Sequence, residues 1–199
     1  MNLAHQRGLK MVLGITGASG SVYAQLLLEK LDKLGPQVEA CDVVFSDCGK
    51  DVWHYELGKK SFEAIKRKIY AKDDFYAPFA SGSSGYDLMI VCPCTMGTLG
   101  RIAGGISNDL ITRCADVMLK EKKKLILVTR EMPLNLIHIN NMKLVSEAGA
   151  IVCPASPSFY GNERKTDEIL STVVYKVLNL AGFSFDNYEW GSAQQKDKS

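Results

Sequence analysis

Apolar positions along the chain fall into two alternating rhythms. Short, nearly continuous runs at MVLGIT (11–16), VEACDVVF (38–45), LMIVC (88–92), LILV (125–128) and AIVCP (150–154) read as strands covered on both faces, as in a parallel sheet. Between them, apolar residues recur at helical spacing: VYAQLLLEKLDKL (22–34), an amphipathic stretch over 50–69 with a break near Gly58, and a short helix over 97–103. A helix carrying Arg113, the segment LNLIHINNMKLVSEAG (134–149) and a last helix over 166–180 complete the series. Gly35 and Pro36 stop the first helix, and Gly104, Gly105 and Ser107 separate the third from the fourth. About five strands with intervening helices predict an α/β fold, a doubly wound, Rossmann-like parallel sheet with helices on both faces. Residues 1–190 form a single domain in this reading, and the polar tail GSAQQKDKS (191–199) is expected to be disordered. The loop over 70–87 mixes aromatics with Gly and Ser; its length marks it as functional, and its aromatics argue against disorder.

Composition narrows the partners. A length of 199 residues suits one well-buried domain, and a net charge of +2 in a chain that is 23% charged gives no field that would favour nucleic acid or an anionic membrane. The segment MNLAHQRGLK has no apolar stretch of signal length, and no run approaches the roughly 18 residues that span a bilayer, so a cytoplasmic protein is expected. Cys41, Cys92, Cys114 and Cys153 lie in or beside apolar runs, where a reduced thiol acts as a small hydrophobe. The Cys92–Pro93–Cys94 spacing suits neither redox chemistry nor zinc.

Candidate chemistry lies where strands end. The first strand runs into Gly14–Gly20, a glycine-bearing turn whose backbone N–H groups suit a phosphate, although it completes neither a dinucleotide fingerprint nor a Walker loop. Small hydroxyl residues follow three strands: Thr16 and Ser19, then Ser46, then Thr95 and Thr98. Open parallel sheets bind ligands at that edge, and these groups suit a mononucleotide such as FMN, although the same residue types also cap helices. The strand LILV ends in Arg130, placed by the pattern against the core, with Glu131 directly after it. Arg113 and Lys120 stand seven residues apart on the preceding helix, about 700° of turn and roughly 10 Å along its axis, hence on one face. Lys122, Lys123 and Lys124 read as a solvated helix end. For Glu131 the competing roles are an N-cap to the helix starting near Pro133 and an ion pair with Lys120. His138 reads as a packing or capping residue, and His5 and His54 are given no role. Trp53, Tyr188 and Trp190 read as packing between subunits or covering a pocket.

The runs ITGASGSVYA, ASGSS, CPCTMGTL, the segment over 108–119, LVTREMPL with IHINNM, and PASPSFY occur in this order, and together they resemble the flavin prenyltransferase (UbiX) family over residues 10–190. The resemblance implies a flavin-binding fold shared with the flavin-containing cysteine decarboxylases, and a homo-dodecamer. It also implies transfer of a dimethylallyl group from dimethylallyl monophosphate to N5 and C6 of reduced FMN, and prenylated FMN delivered to a UbiD-type decarboxylase. By position, it makes Gly17, Ala18, Ser19, Ser46, Thr95, Met96, Gly97, Thr98 and Arg130 FMN contacts. Arg113, Lys120, Arg130, Tyr160 and Lys176 would meet the prenyl phosphate, with Glu131 beside them. Many members carry arginine at the position of Lys176; lysine keeps the charge and loses the bidentate fork. Glu56 matches a carboxylate near the flavin, and Phe75 an aromatic wall that is often tryptophan.

The chemistry of that reaction assigns roles. Breaking the prenyl C–O bond builds negative charge on the phosphate, which Arg113, Lys120, Arg130 and Lys176 can meet, so no magnesium requirement is expected. Glu131 is the candidate general acid with Lys120 beside it, and Ser19 and Glu56 orient N5 and relay its proton. Two alternatives stand against this reading: an FMN-dependent cysteine-type decarboxylase and a non-catalytic FMN carrier.

Overall fold

The computed structural model describes residues 7–159 and 165–185. Six parallel strands form one sheet: β1 (Leu9–Ile15), β2 (Val38–Phe45), β3 (Ile69–Tyr70), β4 (Leu88–Cys94), β5 (Lys124–Thr129) and β6 (Ile151–Pro154). The helices are α1 (Ser21–Leu31), α2 (Asp47–Leu57), α3 (Lys59–Glu63), α4 (Met96–Ala103), α5 (Leu110–Lys120), α6 (Leu136–Glu147) and α7 (Thr166–Ala181). The strand order is β3-β2-β1-β4-β5-β6. Chain direction across the sheet therefore reverses between β1 and β4, and the crevice beyond their carboxyl ends is the usual ligand position of such a sheet. The sixth strand, β3, was not expected from the sequence: two residues are too few to show a period.

Side chains of β1 alternate between two cores. Met11, Leu13 and Ile15 join α1, α7 and Trp53 of α2, while Val12 joins α4, α5 and the loop residues Phe79 and Ala80. Burial on both faces explains why the strands read as unbroken apolar runs. Trp53 is part of this core, 1% exposed and edge-on to Phe45, with its indole N–H donated to Ser61. The expectation of a subunit contact is therefore corrected, because the break at Gly58 folds α3 back over that ring, while Trp53 does line a small pocket with Ser61 and Ile65. The thiols of Cys41, Cys92, Cys94, Cys114 and Cys153 are buried and unbridged; Cys48 is exposed.

One helix departs from this economy. Among its 12 residues α6 buries only Val145, while Leu136, Ile137, Ile139 and Leu144 stay about half exposed or more. It leans on α4 where Gly100 leaves room: a Cβ there would stand 3.1 Å from Asn141 Nδ2. Contiguous exposed aliphatic side chains on a helix mark an interaction surface. No helix among the described residues is long and apolar enough to cross a membrane.

Candidate functional site

Three strand ends are tied together at the carboxyl edge of the sheet. Thr16, 1% exposed, donates its hydroxyl to the Pro93 carbonyl at 2.7 Å and accepts the Thr95 amide at 2.9 Å, which locks the turn after β1 to the turn after β4. Ser46 caps α2 by accepting the Gly49 amide at 3.0 Å, and Thr95 caps α4 by accepting the Thr98 amide at 3.1 Å. Both roles weighed for these hydroxyls, cap and ligand contact, remain compatible. Each cap takes one first-turn N–H, and neighbouring first-turn amides, such as those of Met96 and Gly97, have no carbonyl within their helix to satisfy them. The turn after β1 lies against α2 at backbone distance: a Cβ at Gly17 would fall 2.5 Å from Cys48 Cβ.

The start of α1 is built differently. Its N-cap is Gly20 at φ 119°, which supplies no side-chain oxygen. Glu56 of α2 supplies one instead, accepting the Gly20 amide at 3.0 and 3.1 Å and the Ser21 amide at 2.8 Å. A carboxylate thus occupies the position that the glycine turn was expected to offer a phosphate. Glu56 is fixed beside Ser19 by the positive end of α1. Arg130 passes above this cap, its Cγ 4.0 Å from where a Gly20 Cβ would stand, and it opposes the upward push that burial gives the Tyr23 hydroxyl. Contrary to the pattern-based expectation, Arg130 is exposed, because β5 ends at Thr129 and the next residue already leaves the sheet.

Glu131 is also exposed, and its carboxylate accepts the amide of Met132 at 3.1 Å. The N-cap of α6 is Asn135, in a capping box with His138, so His138 has the capping role foreseen for it and Glu131 does not cap the helix. Lys120 does not stand beside Glu131 within the chain. It pairs with Glu121, whose carboxyl it holds below the usual range through a hydrogen bond, at the end of α5 that precedes β5. The length of β5, roughly 20 Å, separates that end from Arg130 and Glu131. Arg113, nearer the start of α5, donates to the Ala80 carbonyl at 3.1 Å and to Asp116 at 3.2 Å. The turns over 78–84 overlie this helix, with Glu121 against Gly82 at their far end. Lys176 lies in a third place. It lines a groove of about 900 Å³ between α1 and α7, facing Ser156 and Ser158 of the PASPSFY segment, and partly offsets the upward shift that burial gives Cys153. Tyr160, Tyr188 and Trp190 lie outside the described residues. Phe75 is 46% exposed in the loop after β3, next to the fully exposed Tyr76.

Sequence reasoning missed a polar network between α4 and α5. Arg101 donates to Thr98 Oγ1 at 3.2 Å, to Asn108 Oδ1 at 3.1 Å and to Asp109 Oδ2 at 2.6 Å. Asp109 in turn caps α5, accepting the Thr112 amide at 2.8 Å. The signal was present: an arginine three residues after a threonine shares its helix face, and Asp-x-x-Thr opens the next helix.

Against known proteins, residues 2–178 match the family model described as Flavoprotein. The chain is 40% identical over 187 residues to the flavin prenyltransferase UbiX of Methanocaldococcus jannaschii, covering 92% of this chain and 100% of that one. To its namesake from Thermoplasma acidophilum it is 42% identical over 180 residues, with 89% and 97% covered. Among solved structures it is similar to AnUbiX (PadA1) in complex with FMN and dimethylallyl pyrophosphate, at 36% identity and TM-score 0.82, covering 92% of this chain and 100% of that chain. It is also similar to a dodecameric FMN-dependent UbiX-like decarboxylase from Escherichia coli O157:H7, at 36% identity and TM-score 0.85, covering 91% and 99%. The peptidyl-cysteine decarboxylase EpiD shares the fold at TM-score 0.57 and 17% identity, covering 84% and 99%.

Proposed function

The chain belongs to the Flavoprotein family and, within it, to the flavin prenyltransferases of the UbiX type, and from that premise we propose that it joins a dimethylallyl group to reduced FMN, at N5 and C6. The observation that carries this reading is the tied edge formed by Thr16, Ser46 and Thr95, a mononucleotide cradle at the switch point of the sheet. In this reading Gly17, Ala18, Ser19, Ser46, Thr95, Met96, Gly97 and Thr98 hold FMN through hydroxyls and first-turn amides, and Arg130 reaches it from the end of β5. When bound, reduced FMN supplies the electron-rich ring that the prenyl carbon joins, and inorganic phosphate leaves.

Dimethylallyl monophosphate is the donor we infer; the solved relative holds the diphosphate. Arg113, Lys120, Arg130, Tyr160 and Lys176 meet the phosphate, and their positive charge stabilises the leaving group without a metal ion. Glu131 gives a proton to the departing oxygen, and Ser19 with Glu56 takes up the proton of N5. Lys120 and Glu131 belong to opposite ends of β5, so a site that uses both draws them from different copies of the chain. The aliphatic surface of α6, which begins four residues after Met132, supports the same conclusion, as does the dodecameric state of the Escherichia coli relative. We take this chain to be a homo-oligomer, with the dodecamer as the expected size, acting in the cytoplasm and handing prenylated FMN to a UbiD-type decarboxylase.

Anaerobic incubation with reduced FMN and either dimethylallyl monophosphate or diphosphate, followed by flavin mass and spectrum, tests the reaction. A gain of one prenyl unit with the monophosphate is expected. Bound but unmodified flavin would favour a carrier or an FMN-dependent cysteine-type decarboxylase, which release of carbon dioxide from a cysteine-ended peptide would tell apart, and protein that binds no flavin would contradict all three readings.

A further inference from the structure

We propose that Arg101 is a positioning residue for flavin binding, acting through the hydroxyl of Thr98. The proposal rests on the reading above that Thr98 contacts FMN. A threonine hydroxyl has one proton and two acceptor sites. Both acceptor sites of Thr98 Oγ1 are filled, one by the Thr95 hydroxyl at 3.0 Å and one by Arg101 Nη2 at 3.2 Å. Its proton is the one valence left, so the hydroxyl is committed to donate, and the ligand atom it meets must be an acceptor such as a flavin carbonyl oxygen, ring nitrogen or phosphate oxygen.

The guanidinium is itself fixed from behind. Its Nη1 donates to Asp109 Oδ2 at 2.6 Å, while Asp109 Oδ1 accepts the amide and hydroxyl of Thr112 at 2.8 and 2.9 Å. Arg101 is therefore neutralised by Asp109 and braced on the first turn of α5, so it reaches the site as an orienting fork rather than as a free charge. Thr98 is 2% exposed and Asp109 keeps only 16% of its side-chain surface open, which shields the strut from solvent competition. A lysine could keep the ion pair with Asp109 but has no planar fork to reach Thr98 at the same time.

The test compares the whole protein with Arg101→Met, Arg101→Lys, Thr98→Val and the double variant Arg101→Met/Thr98→Val. It reads the FMN dissociation constant, the KM for reduced FMN, the KM for the prenyl donor and the melting temperature. Loss of one orienting hydrogen bond should weaken flavin binding about 2- to 10-fold in Arg101→Met, with the KM for the prenyl donor unchanged. Arg101→Lys should recover the melting temperature and leave flavin binding weak. In the Thr98→Val background, Arg101→Met should add nothing. Flavin affinity restored by lysine together with stability, or an Arg101→Met effect that persists in full without the Thr98 hydroxyl, would overturn the proposal in favour of a purely structural strut. Wild-type protein that binds no flavin would overturn the functional reading itself, and this proposal with it, before any variant is compared.

Discussion

The edge formed by Thr16, Ser46 and Thr95 and the set formed by Arg113, Lys120, Glu131 and Lys176 differ in how completely one chain builds them. At the first, the buried Thr16 hydroxyl interlocks β1 with β4, beside the partly buried Ser46 and Thr95, and each group has its partner close by. At the second, the charged groups are exposed or half-exposed, lie on three faces of the fold and pair with sequence neighbours: Arg113 with Asp116, Lys120 with Glu121, and Glu131 with the Met132 amide. In the proposed function, folding finishes the flavin half of the site and association would finish the phosphate half. That proposed division would also account for the aliphatic open side of α6, as a surface for a second copy to bury.

The largest effect should come from breaking association. Ile137→Glu and Leu136→Glu place charge on the α6 surface without touching the core, so gel filtration or light scattering should show a smaller species. Prenylation should fall to background, while flavin binding persists. A full-sized assembly with normal turnover would erase the distinction between the two halves. Next, Glu131→Gln should reduce turnover about 10²- to 10⁴-fold, the usual contribution of general acid–base catalysis, with little change in the FMN dissociation constant. Unchanged prenylation would remove Glu131 from its role.

Changes to the finished half should act on stability as well as on flavin. Thr16→Val removes an acceptor from the Thr95 amide and a donor from the Pro93 carbonyl, at a cost of about 1–3 kcal/mol in unfolding free energy. Urea unfolding and flavin titration should both register it. A pH dependence follows from the buried thiols, where burial lifts Cys41 and Cys94 from 9.0 to about 12 and also pushes Cys92 and Cys114 upward. Above pH 9 the unfolded chain releases these protons before the folded chain does, so stability is lost as pH rises from about 9 towards 12. The urea midpoint should be lower at pH 10 than at pH 8, and Cys41→Ala should make the decline shallower.

The two halves were not equally legible in the sequence. Unbroken aliphatic runs such as LILV gave the strands because the sheet is covered on both faces, and the hydroxyls after them gave the edge because caps and ligand contacts favour the same residue types. Glu56 was matched to the flavin by resemblance, but its hold on α1 depends on a glycine N-cap accepting help from a carboxylate 36 residues away, which no local pattern reveals. Arg130 looked like the end of a buried run and is exposed, because periodicity does not say where a strand leaves its sheet. Lys120 and Glu131 looked like neighbours because only eleven positions separate them, yet a whole strand lies within that interval.

Subunit complementation tests the division most directly. Lys120→Ala and Glu131→Gln, each with little turnover alone, are dissociated, mixed in equal amounts and reassembled, and anaerobic prenylation of reduced FMN is followed. If each site takes Lys120 from one copy and Glu131 from another, random mixing restores about a quarter of the wild-type sites, and activity rises accordingly. If both residues serve the site from the same copy, every site keeps a defect and the mixture stays as inactive as its components, which would contradict the account.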